Sequence, residues 1–475
     1  MRRRMIPFAA LGTCSLLAGC AAMQPGKAFD EVRATVSERS GLRVSWNTGS
    51  PADAEATGAV RSLLEHELRA DEVAQIALLN NRNLRALYEE LGVAQADLLQ
   101  AGLLRNSVFN AEIRFFASGS PGVELSVVQD FVDALLIPLR QKVAGAAFEA
   151  VKVHISGTVL DVAAEVRASF YELQASEQTR EMRATVLQAT SSSYELGLRL
   201  HQAGNITDLD LANERALYEQ SKLDLAESEA EVLTLRERLN SLMGLWGSDT
   251  AWKIAPRLPE LPADEVASEG LEKRAIAQSL DLEAARREIE VAAGRLSLAR
   301  PAAVLAGGNL GATAEGDHPE GFWGVGPAFS LPVPVFDMGQ AAVVGAGSAW
   351  RGANQRYYAL AVEIRARVRA AWNQLSAARS RAEYYAATVL PLRQRIVEET
   401  QKEYNAMLVG AFQLLTAKQQ EIEAGSQFIR ALRDYWLARA ELEQILSGRL
   451  PQSQAQLSAA RRSTSVMRLG AGGTH

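Results

Sequence analysis

The sequence predicts a mainly α protein with a small β part, built as two copies of one long-helix unit. Three observations carry this: an internal repeat of about 200 residues, two proline-poor runs long enough for very long helices, and four short alternating segments. The repeat comes first. Ala77, Leu84, Ala86, Glu90, Val93, Ala94, Leu98 and Ala101 fall on Ala275, Leu282, Ala284, Glu288, Val291, Ala292, Leu296 and Ala299. Val166-Arg167-Ala168 with Leu173 and Ala175 falls on Val368-Arg369-Ala370 with Leu375 and Ala377, and Ala184-Thr185-Val186-Leu187 on Ala387-Thr388-Val389-Leu390. The matches keep their order, with offsets of 198, 202 and 203. A solenoid repeat runs roughly 20 to 50 residues, so this is a duplicated domain-sized unit.

Each unit opens with a helix, at about 70–105 and 268–300, and later runs into a very long one. No proline occurs between Pro138 and Pro256, and apolar residues recur at helical spacing, so little interrupts a helix there until Gly204. The run 140–203 would extend roughly 95 Å. The return run 206–245 carries Leu209, Ala212, Ala216, Leu223, Ala226, Ala230, Leu233 and Leu239 as one apolar stripe flanked by charges, which suits coiled-coil packing. Gly204-Asn205 and Val409-Gly410 separate outgoing from returning helices, because glycine takes the left-handed conformation that ends a helix and asparagine tolerates it.

Four segments have β character. Phe109, Ala111, Ile113 and Phe115 alternate with Asn110, Glu112 and Arg114, and Gly122 to Asp130 follows a Ser-Gly-Ser-Pro turn. In the second unit Val304 to Thr313 and Gly321 to Leu331 flank the polar stretch Ala314 to Pro319, read as a turn. Each is near the roughly 9–11 residues of a tilted membrane strand. A sheet in lipid must close, and four strands cannot. Two copies would supply eight strands and three copies twelve; a soluble β-cap on a helical rod needs no closure.

The amino terminus reads as a signal. Arg2, Arg3 and Arg4 precede the apolar run Ile6 to Leu17, which ends on Leu17-Ala18-Gly19-Cys20. This resembles the lipobox of bacterial lipoproteins, which implies cleavage after residue 19, diacylglycerol and palmitate at Cys20, and, with Ala21 next, sorting to the outer membrane. The other cysteine, Cys14, lies in the discarded segment, so no intrachain disulfide is expected. Loss of three arginines takes the formal charge from −6 to about −9, which argues against nucleic acid as a partner. No later stretch approaches eighteen apolar residues, so no transmembrane helix is expected.

The segment Pro334-Val335-Phe336-Asp337-Met338-Gly339 resembles a motif of the TolC-type outer-membrane factor family. Val389-Leu390-Pro391, Tyr404, Gly410 and Leu414-Leu415-Thr416-Ala417-Lys418-Gln419 are similar to that family's second helical hairpin; Ile206-Thr207-Asp208-Leu209 and Ala212-Asn213 are similar to its first. The resemblance covers about residues 70 to 447. It implies a homotrimer with a 12-stranded outer-membrane β-barrel and a periplasmic α-barrel. It also implies a periplasmic adaptor and an inner-membrane pump of the resistance-nodulation-division type as partners, and a passive exit duct as the function. By position it puts the periplasmic tips at Gly204, Asn205, Asp208 and Asp210 and at Gly410, Leu414 and Leu415. There Asp208 or Asp210 would form a negative ring in a trimer. The other reading of Asp208 is a helix-start carboxylate held by the dipole. Gln419 stands where many members carry an aspartate, which weakens the case for a gate of that kind.

The expected organisation is a signal at 1–19, a lipidated segment at 20–69, a first repeat at 70–250, a linker at 251–267, a second repeat at 268–447 and a disordered tail at 448–475. No catalytic motif, cofactor loop or metal-ligand spacing is found: His66, His154, His201, His318 and His475 share no pattern, and Gly307-Gly308-Asn309-Leu310-Gly311 lacks phosphate-loop spacing. The alternative to a channel is a structural coiled-coil lipoprotein of the periplasm.

Overall fold

The computed structural model describes residues 25–46, 49, 51–115, 122–305, 308–317, 322–331 and 333–451. Cys20, His318 and all but the start of the tail lie outside them. The chain divides into two compact units, one formed by 1–30, 89–151 and 288–350, the other by 31–88, 152–287 and 351–475.

The first unit holds a four-stranded antiparallel sheet. Its strands are β2 (Val108–Arg114), β3 (Gly122–Asp130), β5 (Asn309–Asp317) and β6 (Phe322–Ser330), in the order β2-β3-β5-β6. Three of these fall within a residue or so of their expected places. The third is displaced: Val304 and Leu305 end a helix, and the polar residues from Ala314 to Asp317, read as a turn, are strand. Helix α8 (Leu280–Leu305) runs through Pro301, so the strand starts only after the Gly-Gly pair. Glu315 and Asp317 are acceptable in a strand because they fall on the sheet face that also carries Glu112, Arg114, Glu124 and Thr313, while Ala314 and Gly316 fall on the other.

The long helices are longer than expected. Helix α5 (Val132–Gln202) takes in Pro138 and is 71 residues, about 105 Å. It is also the one described helix with an 18-residue stretch apolar enough to cross a bilayer by length and composition, against the expectation of none. Of that stretch 28% is buried, and along the helix Ile155, Val159, Ala163, Val166, Phe170 and Leu173 are buried in the second unit. Helix α6 (Asp208–Met243) returns from it. In the second half α9 (Gln340–Tyr384), a π-turn at Tyr385–Val389 and α10 (Leu390–Asn405) occupy the place of α5, and α11 (Ala411–Leu446) returns.

Each repeat's opening helix is in fact two. Helix α3 (Ala70–Asn80) breaks at Asn81 before α4 (Arg82–Gly102), and α7 (Leu271–Gln278) breaks at Ser279 before α8. Asn81 Oδ1 accepts the Asn83 N–H at 2.8 Å, and Ser279 Oγ accepts the Leu282 N–H at 3.1 Å. Both are side-chain caps on a new helix start, separated by the 198-residue offset of the repeat. The repeat identities lie in the cores: Ala77 and Ala275, Leu84 and Leu282, Val166 and Val368, Leu173 and Leu375 are all buried. Packing of the first turns is duplicated with an ion pair, Asp71–Arg167 in one half and Glu272–Arg369 in the other, each at 2.9 Å.

The remaining elements are α1 (Pro25–Ser40), α2 (Pro51–Leu64), a 3-10 turn (Gly247–Thr250) and a two-stranded parallel pair of β1 (Glu67–Leu68) with β4 (Lys253–Ile254). Val32 and Val36 of α1 are buried, and Glu31 pairs with Lys152 of α5. The segment 20–69, expected to carry the lipid, thus contains α1 and α2.

Candidate functional site

The sheet register decides what each strand face presents. Phe109, Ala111 and Ile113 stand beside Val127, Leu125 and Val123. Those three neighbour Ala312, Ala314 and Gly316, which pair with Pro327, Val325 and Trp323; Leu310 pairs with Phe329 at the end. Because side chains alternate, all of these share one face, and Phe109, Ile113, Val127, Leu310, Trp323, Val325 and Phe329 are exposed there. The opposite face carries Asn110, Glu112, Arg114, Glu124, Ser126, Thr313 and Glu315, with Val108, Val128 and Ala328 at one end. Asn110 Nδ2 donates to Ser126 Oγ at 3.3 Å.

Glu112, Glu124 and Glu315 lie in one row across three adjacent strands. Like charges in register destabilise a sheet. Arg114 offsets part of this, 2.9 Å from Glu112 and 2.8 Å from Glu124, and leaves the row net negative. Strands β2 and β6 each have one partner, so among the described residues both edges are open. An exposed apolar face, a polar face and two open edges make a sheet that is incomplete in one chain.

The strand-to-helix motif has a local cause. Asp337 Oδ1 accepts the Gly339 N–H at 2.8 Å, and Gly339 takes φ +78°, which turns the chain into α9. A Cβ at Gly339 would sit 2.6 Å from the Ala303 side chain, so space and backbone both require glycine.

At the first helix turn, Gly204 is left-handed at φ +74°. Gly204 N–H donates to His201 O and Asn205 N–H to Leu200 O, both at 2.9 Å, a Schellman-type ending. Thr207 caps α6: its Oγ1 accepts the Asp210 N–H at 3.1 Å, and Asp210 Oδ2 accepts the Thr207 N–H at 3.1 Å. Asp208, fully exposed, is 2.7 Å from His201 Nε2. The two aspartates therefore differ, one holding the helix start and the other paired with a histidine across the turn.

The second turn makes the same bonds with different residues. Met407 N–H donates to Tyr404 O and Leu408 N–H to Glu403 O, both at 2.9 Å. The left-handed residue is Met407 at φ 58°, against the expectation that Gly410 would take that role; Gly410 is extended, at φ −83° and ψ 166°, as the cap of α11. With an offset of 203, Met407 stands where Gly204 does and Gly410 where Thr207 does, so the turn register follows the repeat rather than the position of glycine. Met407, Leu408 and Phe412 are exposed, and Leu414 and Leu415 half-buried. A left-handed non-glycine residue costs about 1–2 kcal/mol. Met407→Gly is therefore expected to stabilise the protein by roughly 0.5–1 kcal/mol and Gly204→Ala to destabilise it by about 1 kcal/mol, read as opposite shifts in the urea midpoint.

The linker 251–267 is a belt within the second unit. Gln174 and Gln178 of α5 hold Ala255 O and the Leu258 N–H, and Glu181 holds the Arg257 guanidinium at 2.9 Å. Trp436 Nε1 of α11 donates to Pro259 O at 3.0 Å, and Arg379 of α9 to Pro262 O at 2.9 Å. Glu265 closes the belt, accepting from Tyr435 Oη at 2.7 Å with Arg379 and Arg439 at 3.3 and 3.6 Å. Burial pushes the Glu265 carboxyl up, but the Tyr435 hydroxyl, the Val266 N–H and the two arginines outweigh it and leave it below its ordinary value. Burial and Glu265 together push the Tyr435 hydroxyl up to about 12.

Sequence reasoning also missed the end of α11. Arg449, placed in the tail, is buried; its Nε is 3.1 Å from both carboxylate oxygens of Asp161, and it pairs with Asp281. Gly157 on α5 makes room, since a Cβ there would meet the guanidinium at 2.8–2.9 Å. A lone arginine beyond the last apolar stripe gave no signal of this. Among the described residues no group of three or more His, Cys, Asp or Glu is placed to hold a metal ion.

No family model matches the chain. It is similar to the cobalt-zinc-cadmium resistance protein CzcC of Cupriavidus metallidurans, 23% identical over 387 residues, which cover 80% of this chain and 90% of that one. Among solved structures it is similar to the CmeC outer membrane channel of Campylobacter jejuni, with a TM-score of 0.68 at 16% identity over 83% of this chain and 89% of that one. CusC gives a TM-score of 0.67 at 15% identity over 80% and 92% of the two chains. The MtrE outer membrane channel of Neisseria gonorrhoeae gives 0.63 at 18% identity over 81% and 91%. The fold is that of the outer-membrane efflux channels, as the motifs at 334–339 and 389–419 suggested.

Proposed function

We infer that this chain, sharing its fold with outer-membrane efflux channels, is a passive exit duct of a tripartite efflux system. It assembles as a homotrimer, is anchored in the outer membrane by lipid on Cys20, and takes cargo from an inner-membrane pump through a periplasmic adaptor. The observation that carries the reading is the four-stranded sheet with one apolar and one polar face and two open edges. Such a sheet is stable in lipid only when other copies close it, with the apolar face outward and the polar face lining water. Three copies give twelve strands. The two long helical hairpins of each chain then supply the wall of a periplasmic tube.

The similarity to a cobalt-zinc-cadmium resistance protein favours a divalent metal cation as cargo. The net negative row Glu112, Glu124 and Glu315 on the water-facing side suits a cation, although a wide duct leaves most selection to pump and adaptor. Asp208, exposed at a hairpin turn, would add a further negative charge.

Purified lipidated protein should crosslink as a trimer and conduct in planar bilayers. Cells lacking it should become sensitive to zinc, cobalt or cadmium. Cys20→Ala behind a cleavable signal should retain part of that resistance, because twelve strands already hold the trimer. A protein that is released soluble and monomeric by loss of the lipid supports the structural coiled-coil lipoprotein instead.

A further inference from the structure

The helix running to the second hairpin tip contains one residue more than its counterpart in the first. Between Ala175/Ala377 and Ala184/Ala387 the repeat offset rises from 202 to 203. The π-turn Tyr385–Val389 lies where that offset changes, and there the Leu390 N–H donates to Tyr385 O, five residues back. A π-turn is how a helix absorbs one added residue without rotating everything beyond it. Next comes Pro391, which has no N–H and whose ring would press on the carbonyl of Ala387 in a regular helix. The first half has Gln188 at the matching place, and α5 passes through 184–188 without a break.

The two sides of the π-turn are held very differently. Toward the belt, Ala378 and Ala382 are buried and Arg379 is fixed by Pro262 O and Glu265. Beyond it, α10 has no buried residue; its side-chain tie to α11 among the described residues is Arg393 to Gln420 at 2.6 Å. The matching stretch of α5 buries Thr190 and Gly197. At the far end the chain turns through the left-handed Met407 beside exposed Leu408 and Phe412.

We propose that the π-turn at Tyr385–Val389, set by one added residue and Pro391, is a pivot about which the arm from Leu390 to the second tip bends against the belt-held part of the second hairpin. The first hairpin lacks such a pivot and stays straight. That bending changes the width of the passage at the tips rests on the duct reading above; the pivot itself does not.

The test deletes Ala386, which restores the spacing of the first half, and uses Pro391→Gln as a second variant. In the full-length lipidated protein, amides of 390–405 should exchange with deuterium about tenfold faster than those of 188–202. Deleting Ala386 should bring the two segments within about twofold, with the trimer intact, and lower the open-state occupancy in planar bilayers about fivefold. Should the deletion fail to assemble, Pro391→Gln is read by the same two measurements. Equal exchange of the two segments in the unaltered protein overturns the pivot. So does a variant whose arm still exchanges as fast as before, whereas an arm that has become slow to exchange while its opening is unchanged overturns the link to passage width. If the unaltered protein does not conduct at all, it is the duct reading that falls, and the exchange comparison alone decides the pivot.

Discussion

Replacing Arg449 with leucine should destabilise the protein by about 3–5 kcal/mol, because two carboxylates then remain buried without their counter-charge. Arg449 is almost fully enclosed and joins Asp161 on α5 to Asp281 at the start of α8. The end of the last long helix is thereby tied to both repeats. Removing the arginine costs more than the pair itself contributes, since desolvated charge is left behind. Burial raises the Asp281 carboxyl above its ordinary value even though the Arg449 charge pulls the other way. The folded chain then binds the Asp281 proton more tightly than the unfolded chain, so this group lowers stability as pH rises from its ordinary value through its raised one. Without Arg449 that interval widens. The variant should therefore lose more stability between acid and neutral pH than the unaltered protein, as measured by urea midpoints at the two pH values. An equal pH dependence would show that Arg449 does not govern Asp281. Gly157→Val should give a milder form of the same defect by displacing the guanidinium.

Placing a charge on the apolar face of the sheet is the second large effect. Val325 is exposed on that face, between its register partner Ala314 and open space. If lipid covers it, Val325→Arg should cost about 2–4 kcal/mol near the midplane of the bilayer. Ser126→Arg, on the opposite face, should cost little because that face meets water. The comparison is read as the yield of membrane-inserted trimer. Similar yields from the two variants would remove the basis for a closed barrel and return the sheet to a soluble cap.

Much of the chain was legible because its physics is local. Alternation gave three of the four strands nearly residue for residue, since a two-residue period leaves few registers that keep Phe109, Ile113 and Trp323 on one face. The fourth was misplaced because glycine, alanine and threonine between 306 and 314 give little contrast, and Pro301 does not stop the helix before it. The long helices were legible from missing proline and steady apolar spacing. Their ends were less so: Gly410 was a poor guide to the second turn, because the hydrogen bonds of that turn are fixed by the helix that precedes it and put Met407 in the left-handed position. The belt at 251–267 was invisible as such. Its contacts are backbone carbonyls held by Gln174, Trp436 and Arg379, each more than seventy residues away in sequence, and no pattern within seventeen residues reports them.

The sequence by itself determined the duplication, the two helical hairpins and the alternating strands, because each rests on periodicity that a single segment carries. Tertiary structure decided which strands lie side by side, and hence that one face is apolar and the other acidic. It also decided that the linker is a belt, that Arg449 closes the fold, and that one added residue near 386 becomes a π-turn. These depend on charges and hydrogen bonds between segments far apart in the chain, whose partners are chosen only once the long helices have packed.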